Sequence, residues 1–329
     1  FVIISRTPFR LSFFGGGTDY PDWYRTHGGA VLSTTIDKYC YHIVSPLPPF
    51  HDHRYRVVWS KIEQTLDVES IEHRAVRAAL TSMDFLKDRL EITYSADVPA
   101  RTGLGTSSAF TVGLLNALLA YRRRQISRPE LADLAIHLEQ DVIGEAVGDQ
   151  DQIWAAEGGC SYIEIQSDGR YSIIPLRTHT RQRLESCLML FFTGFARDAA
   201  VVAAKQIANF GKKEQELLAI ASIRDSVWAN LQYDSNWTIE WLGDALHASW
   251  ELKRSLADGV TNDTLDGIYR GALNAGALGG KVIGAGGGGC MLFVVPEERK
   301  PDVLRALFNL VYIPIKADLL GSRIILNGT

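Results

Sequence analysis

Pro99-Ala-Arg-Thr-Gly103-Leu-Gly105-Thr-Ser-Ser-Ala109 follows an alternating run, Leu90-Glu-Ile-Thr-Tyr-Ser95, and empties into an apolar run from Phe110 to about Tyr121. The alternation predicts a strand before the stretch, and the long apolar run predicts a helix after it. A glycine-rich turn that opens a helix leaves several backbone N–H groups unpaired and pointing one way, with the positive end of the helix dipole behind them. A phosphate is the natural occupant of such a place. Gly103 and Gly105 permit close backbone approach, and Thr106, Ser107 and Ser108 put hydroxyls beside whatever binds. A plain glycine turn with a serine N-cap has the same local sequence, so the rest of the chain must decide.

The 329 residues, 46% of them hydrophobic, predict two domains or one large one with ample core. A net charge of −4 gives no basic field to attract nucleic acid or an anionic membrane. Arg122-Arg123-Arg124 falls at an expected helix end, where cations suit the dipole. No apolar run reaches the length of a membrane span, and Phe1-Val-Ile-Ile-Ser reads as a strand rather than a signal peptide. Cys40, Cys160, Cys187 and Cys290 are scattered in apolar contexts, which predicts buried thiols in a reducing cytoplasm. His51-Asp52-His53 has metal-ligand residue types but sits among Pro46, Pro48 and Pro49, which reads as a solvated loop.

Strands are expected at Val2–Ile4, which Thr7 to Phe14 follows, and at Gly29–Thr35, Tyr39–Val44, Tyr55–Trp59, Ser161–Ile165, Tyr171–Pro175 and Cys187–Phe192. Residues 72–89 and 198–233 read as helical, as do Thr238–Leu256, Leu265–Ala277 and Asp302–Leu310; a last strand is expected near Ser322–Leu326. Ser127-Arg-Pro-Glu130 is a capping box with proline in the first turn, and the helix it starts carries Glu139 on its flank before dissolving at Gly144–Gly148. Strands and helices without regular alternation predict an α+β architecture.

Two further glycine clusters stand at Gly15-Gly16-Gly17-Thr18-Asp19-Tyr20 and Gly284-Ala-Gly-Gly-Gly-Gly289. The latter matches G-x-G-x-x-G in form, but Cys290-Met-Leu-Phe-Val-Val295 behind it reads as a strand where a dinucleotide fold requires a helix. A Walker A loop fails because Gly280-Lys281 is followed by Val282, and there is no H-R-D or D-F-G triplet of a protein kinase.

Three such clusters in this order resemble the superfamily of galactokinase, homoserine kinase, mevalonate kinase and phosphomevalonate kinase. Its first motif is matched by Pro8-Phe-Arg10 with Gly15 to Tyr20, its second by Pro99 to Ala109, its third by Gly284 to Gly289. Gly15-Gly-Gly-Thr-Asp19, Asp149-Gln-Asp-Gln152 and His247-Ala-Ser-Trp-Glu-Leu-Lys-Arg254 are most similar to the D-glycero-D-manno-heptose 7-phosphate kinase branch, and fucokinase-type enzymes share parts of them. The resemblance implies a two-domain fold. An N-terminal domain over 1–185 holds a left-handed β-α-β unit, and a ferredoxin-like domain covers 186–329, with the site between them. It implies ATP- and Mg²⁺-dependent phosphorylation of the anomeric hydroxyl of a sugar phosphate, in the cytoplasm, by a possible homodimer, with no nucleic-acid or membrane partner. An L-fucose or N-acetylhexosamine 1-kinase and a non-catalytic sugar-binding relative are the alternatives.

The same resemblance assigns roles. Pro99, Arg101, Thr102, Gly103, Leu104, Gly105, Thr106, Ser107 and Ser108 wrap the ATP phosphates. Ser107 and Glu139 hold Mg²⁺, with Ser108 as the alternative hydroxyl and a surface charge as the plain reading of Glu139. Asp151 accepts or orients the sugar hydroxyl proton; Asp149 is close in sequence, and Gln152 favours Asp151. Arg10 stabilises developing charge or pairs on the surface. Asp19 hydrogen-bonds sugar hydroxyls, with Gly16, Gly17, Thr18, Tyr20 and Asp22 beside it, and Gly286 and Gly287 shape the acceptor side. Trp250, Lys253 and Arg254 either line the sugar pocket or divide into core and solvent, and Trp59, Ser60 and Lys61 are candidates for the adenine side.

Overall fold

The computed structural model describes residues 1–195, 199–233 and 237–328. In chain order, β1 (Val2–Phe14), α1 (Pro21–His27) and β2 (Gly29–Pro46) lead into β3 (Tyr55–Val58), β4 (Ile62–Thr65), α2 (Arg74–Ser82) and β5 (Leu90–Ala96). The helices α3 (Thr106–Tyr121), α4 (Arg128–His137) and α5 (Gln150–Glu157) come next, then the hairpin β6 (Cys160–Ile165) and β7 (Tyr171–Pro175). After α6 (Thr178–Ser186) come β8 (Leu188–Phe192), α7 (Ala199–Ala208), α8 (Glu214–Gln232), α9 (Ile239–Arg254) and α10 (Asp263–Asn274). The chain closes through β9 (Gly279–Val282), β10 (Cys290–Val294), α11 (Lys300–Ala306), β11 (Val311–Ile313) and β12 (Arg323–Gly328).

β1 and β2 form the spine of an eight-stranded sheet with the path β12-β1-β2-β5-β3-β4. On the side of β2 away from β1, its first half pairs with β6 and its second half with β5. That division explains why two strands were expected where one runs: the neighbour changes while the pairing with β1 continues. β1 is likewise unbroken, because Pro8 lies beside a register shift where a missing N–H is tolerated. β3 and β5 are parallel and joined through β4 and α2, which makes a β-α-β unit. The second sheet is antiparallel in the order β11-β8-β10-β9. With helices after β8 and after β10, this is the β-α-β-β-α-β topology of a ferredoxin-like domain.

Several expectations shift. The helix over 72–89 stops at Ser82, since Asp84 takes φ 56° and turns the chain. The stretch 198–233 is two helices, and residue 198 itself lies outside the described residues. α3 starts at Thr106, four residues before Phe110, directly out of the glycine turn. The short elements α1, α5, α6, β4 and β11 carry too little periodicity to be read. The expected boundary at 185/186 falls within α6; β8 to β11 make the second sheet, while β12 returns to pair with β1 in the first.

α3 is buried on nearly every face, as its unbroken apolar sequence requires. It packs in one continuous core with Phe9, Leu32 and Trp154 of the first lobe and Leu190, Trp228 and Leu292 of the second. A separate cluster under the second sheet contains Phe191, Trp250, Tyr269 and Phe293. The N-terminus of α3 therefore points out of a rigid centre, at the seam of the two lobes. No helix among the described residues is long and apolar enough to cross a membrane.

Candidate active site

Arg101, Gly103 and Gly105 take φ values of 63°, 80° and 70°, and this succession of left-handed residues curls the loop into a concavity above α3. Gly105 is the N-cap of α3 and offers no side chain, so the first-turn N–H groups are left for a ligand. Leu104 and Thr102 are buried anchors, while Pro99, Arg101 and Ser107 face outward at the mouth.

The third cluster lies backbone to backbone against this loop. A Cβ on Gly103 would stand 2.3 Å from the Ile283 carbonyl oxygen, and one on Gly289 would stand 2.5 Å from that of Thr102. The Cys290 N–H closes the contact by donating to the Thr102 carbonyl at 2.9 Å. Gly286 and Gly287 pack on Val260, and the Gly287 N–H is committed to the Val260 carbonyl at 2.8 Å, so these two shape the wall instead of offering donors to the acceptor.

Arg10 and Asp151 meet at the floor. Arg10 Nε donates to Asp151 Oδ1 at 2.6 Å and Nη2 to Oδ2 at 3.0 Å, a fork-to-fork pair, while Nη1 donates to the Gly103 carbonyl. The Arg10 N–H reaches the Leu104 carbonyl at 3.0 Å. Gly105 is glycine here for a reason: a Cβ would stand 3.0 Å from Arg10 Cγ and 3.4 Å from Asp151 Cγ. Asp149 is the other member of the ambiguous pair, and it turns away to accept from Gln140 Nε2 at 2.6 Å and to bond Tyr24.

Asp19 is buried beside this pair and accepts from the Gly17 N–H at 3.0 Å. Burial first, and the Asp151 charge second, raise its carboxyl to about 6. Gly148 is pressed so close that a Cβ there would fall 2.1 Å from Asp19 Oδ2. The turn holding Asp19 is braced from the second lobe by Arg224 of α8. Its Nη1 donates to Thr18 Oγ1 and to the Ala30 carbonyl, each at 3.1 Å, and its Cδ lies where a Gly15 Cβ would be. Leu217 and Phe210 complete the brace through Gly17 and Tyr20. Sequence reading missed Arg224 entirely, since no motif surrounds it.

Glu139 enters by an unexpected route. α4 continues as a π-helical segment, Leu138–Ile143, and the carboxylate ends up 1% exposed. Its Oε2 accepts from Ser108 Oγ at 2.8 Å and from Gln152 Nε2; the Thr111 hydroxyl also lies near the carboxylate, but Oε1 makes no hydrogen bond of good geometry. Desolvation raises this carboxyl to about 7, against the pull of its donors. The hydroxyl paired with Glu139 is thus that of Ser108 and not that of Ser107, which is exposed. A buried carboxylate with one oxygen poorly satisfied, next to a hydroxyl and the Gly103–Gly105 turn, fits a hard cation that takes most of its ligands from other groups and water. Among the described residues no group of three or more His, Cys, Asp or Glu could hold a metal.

The remaining candidates separate. Trp250 is core, and Arg254 pairs with Glu251 and Asp266. Lys253 is buried like Trp250, but with its ammonium on the Val282 and Gly284 carbonyls. Trp59 donates its indole N–H to Glu63 at 2.8 Å, while Lys61 pairs with Glu72 on the surface. His51–His53 is a loop whose carbonyls are tied to Arg89, and all four cysteines are buried free thiols.

This geometry has relatives. The model for the GHMP kinases N terminal domain matches residues 72–159, and that for GHMP kinases C terminal matches 237–313. A D-glycero-alpha-D-manno-heptose 7-phosphate kinase from Campylobacter jejuni is 32% identical over 93% of each chain. A bifunctional fucokinase/GDP-fucose pyrophosphorylase from Arabidopsis thaliana is 26% identical over 91% of this chain and 30% of its own length. The crystal structure of a D-glycero-D-manno-heptose 1-phosphate kinase from Bacteriodes thetaiotaomicron superposes with a TM-score of 0.72 at 24% identity, covering 99% of this chain and 100% of that one. Galactokinase of Lactococcus lactis, solved with galactose, gives 0.73 at 18% identity, covering 98% and 95%. Matched by both domain models and by a relative along nearly its whole length, the chain belongs to the GHMP kinases.

Proposed function

We propose that the chain transfers the γ-phosphoryl group of ATP to the anomeric hydroxyl of D-glycero-D-manno-heptose 7-phosphate, giving the 1,7-bisphosphate. The observation that carries the reading is the Arg10–Asp151 fork set directly under Gly105, which joins an acid–base pair to a phosphate loop. The Campylobacter relative's substrate supplies the identity of the sugar.

In this reading the two lobes, 1–185 with the returning strand β12, and β8 to β11, close on the site. The α3 N-terminus and the Thr102–Thr106 backbone hold the triphosphate. Asp19 accepts hydrogen bonds from sugar hydroxyls. Arg10 fixes both Asp151 oxygens, and each keeps a second lone pair. One of these takes the hydroxyl proton as the sugar oxygen forms its bond to the γ-phosphorus and the bond to the departing ADP oxygen breaks. Arg10 then sits where negative charge develops. Glu139 and Ser108 would hold Mg²⁺, which when bound neutralises charge on the phosphoryl oxygens.

A panel of heptose 7-phosphate, L-fucose, galactose and N-acetylhexosamines, read by coupled ADP release, tests the reading. Preference for heptose 7-phosphate is expected; preference for an unphosphorylated sugar overturns the sugar assignment.

A further inference from the structure

Two buried lysines of the second lobe, Lys253 at the end of α9 and Lys281 on β9, lie against the first: Lys253 bonds Gly284, which packs on Gly103, itself an acceptor from Arg10. Lys281 donates to the Phe13 carbonyl at 2.8 Å and so tethers the end of β1. Lys253 donates to the Val282 carbonyl at 3.2 Å and to that of Gly284, on either side of Ile283 where β9 turns into the third glycine loop. The charged groups around Lys253 are Arg10 and Asp19, from across the cleft, and Lys281 beside it.

A lysine ammonium has three donors, and two of these are fixed on backbone carbonyls. In the neutral amine, the two hydrogens satisfy those carbonyls and the lone pair occupies the third position. Protonation converts that position into a third donor. Burial first, and Arg10 second, push Lys253 down to about 7, so near neutral pH the amine is poised between the two forms. An anion arriving opposite it favours the charged form.

We propose that Lys253 is a phosphoryl-oxygen ligand completed by its own anion: a phosphoryl group entering between Arg10 and Asp19 receives its third N–H, and the amine takes one proton from solvent as the group binds. The inference rests on the kinase reading and deepens it. The phosphoryl group is either the γ-phosphoryl of the nucleotide or the phosphate carried by the acceptor.

The test is titration calorimetry at pH 8 in two buffers of different ionisation enthalpy, on the full chain and on Lys253→Met and Lys253→Arg. One arm uses the non-hydrolysable ATP analogue AMPPNP, the other heptose 7-phosphate. Wild type is expected to take up between about half a proton and one proton per site in one arm, and both variants to take up none. Uptake with AMPPNP assigns the group to the γ-phosphoryl; uptake with the sugar phosphate assigns it to the acceptor. Wild type that shows no uptake in either arm overturns the proposal, as does equal uptake in all three proteins.

Kinetics supply a second readout. Lys253→Met is expected to lose about 10²-fold in kcat/KM, the scale of one lost anion-site donor. Wild-type kcat/KM falls as pH rises through about 7, because the protonated form is the one that binds; Lys253→Arg, cationic throughout, lacks that fall. A chain that turns over heptose phosphate with a normal Lys253→Met rate fails the inference alone, and a chain that binds neither ligand fails both.

Discussion

In the proposed reaction Asp151 receives the proton of a hydroxyl that the protein does not hold, and Arg10 fixes both of its oxygens through one bidentate contact. Asp151→Asn keeps the shape and removes the base. Its turnover is expected to fall by about 10²- to 10⁴-fold with nucleotide affinity unchanged, measured by single-turnover transfer and by titration with AMPPNP. A near-normal rate would reassign the base. Glu139 carries the opposite burden, a carboxylate kept from water. Its carboxyl lies at about 7 folded against 4.5 in the free side chain, so the folded state holds a proton that the unfolded state has released. Stability from this group is therefore greatest at low pH and is lost as pH rises from about 4.5 to 7. Without added Mg²⁺, the drop in melting temperature between pH 5 and pH 8 is expected to be smaller in Glu139→Gln than in wild type. Arg224 is different again, hydrogen-bonding Thr18 and Ala30 and packing on Gly15 behind the turn that holds Asp19. Arg224→Met should raise KM for the sugar about tenfold and leave KM for ATP alone, whereas equal change in both would mark general loosening. Asp151, Asp19 and Glu139 were legible as candidates because motifs surround them. Arg224 was not, because its partner lies 206 residues away and its own helix reads as ordinary surface.

At the scale of elements, the readable features were those whose signals are local. The capping box at Ser127 and Glu130 forms as written, and Ser127→Ala is expected to cost about 1 kcal/mol in denaturant unfolding. Glu139 shows the limit of such reading: the i, i+4 ladder that continues α4 is replaced by a π turn, and nothing short of packing specifies that. The phosphate loop stands between these cases. Its glycines announced a turn, but the reason Gly103 must be glycine lies in Ile283, on the far side of the chain. Gly103→Ala would place a methyl carbon 2.3 Å from that carbonyl oxygen at a φ of 80°, so loss of nucleotide binding is expected even in a folded variant. Retained AMPPNP affinity would show that the two loops part more easily than their contact indicates.

The whole molecule is less divisible than its two sheets imply. One hydrophobic core runs through both, and β12 covers the outer edge of β1 with five paired positions from Val2 to Arg6. The sequence signalled a last strand but not its partner, because its alternation fits either sheet. Deleting residues 317–328 exposes the β1 edge, and the shortened chain is expected to aggregate or to melt well below the full one in light scattering with heating.

Pairing of Val2 with Gly328 also sets an order of events. Sheet growth can begin at the β1–β2 ribbon as soon as it is synthesised, yet its flank stays unsealed until Arg323–Gly328 has been made. Until then each nascent copy carries an adhesive border uncovered. A permuted chain, opened at a surface loop and joined across these adjacent ends, would seal that border early, and should therefore fold in the cell with less help from chaperones.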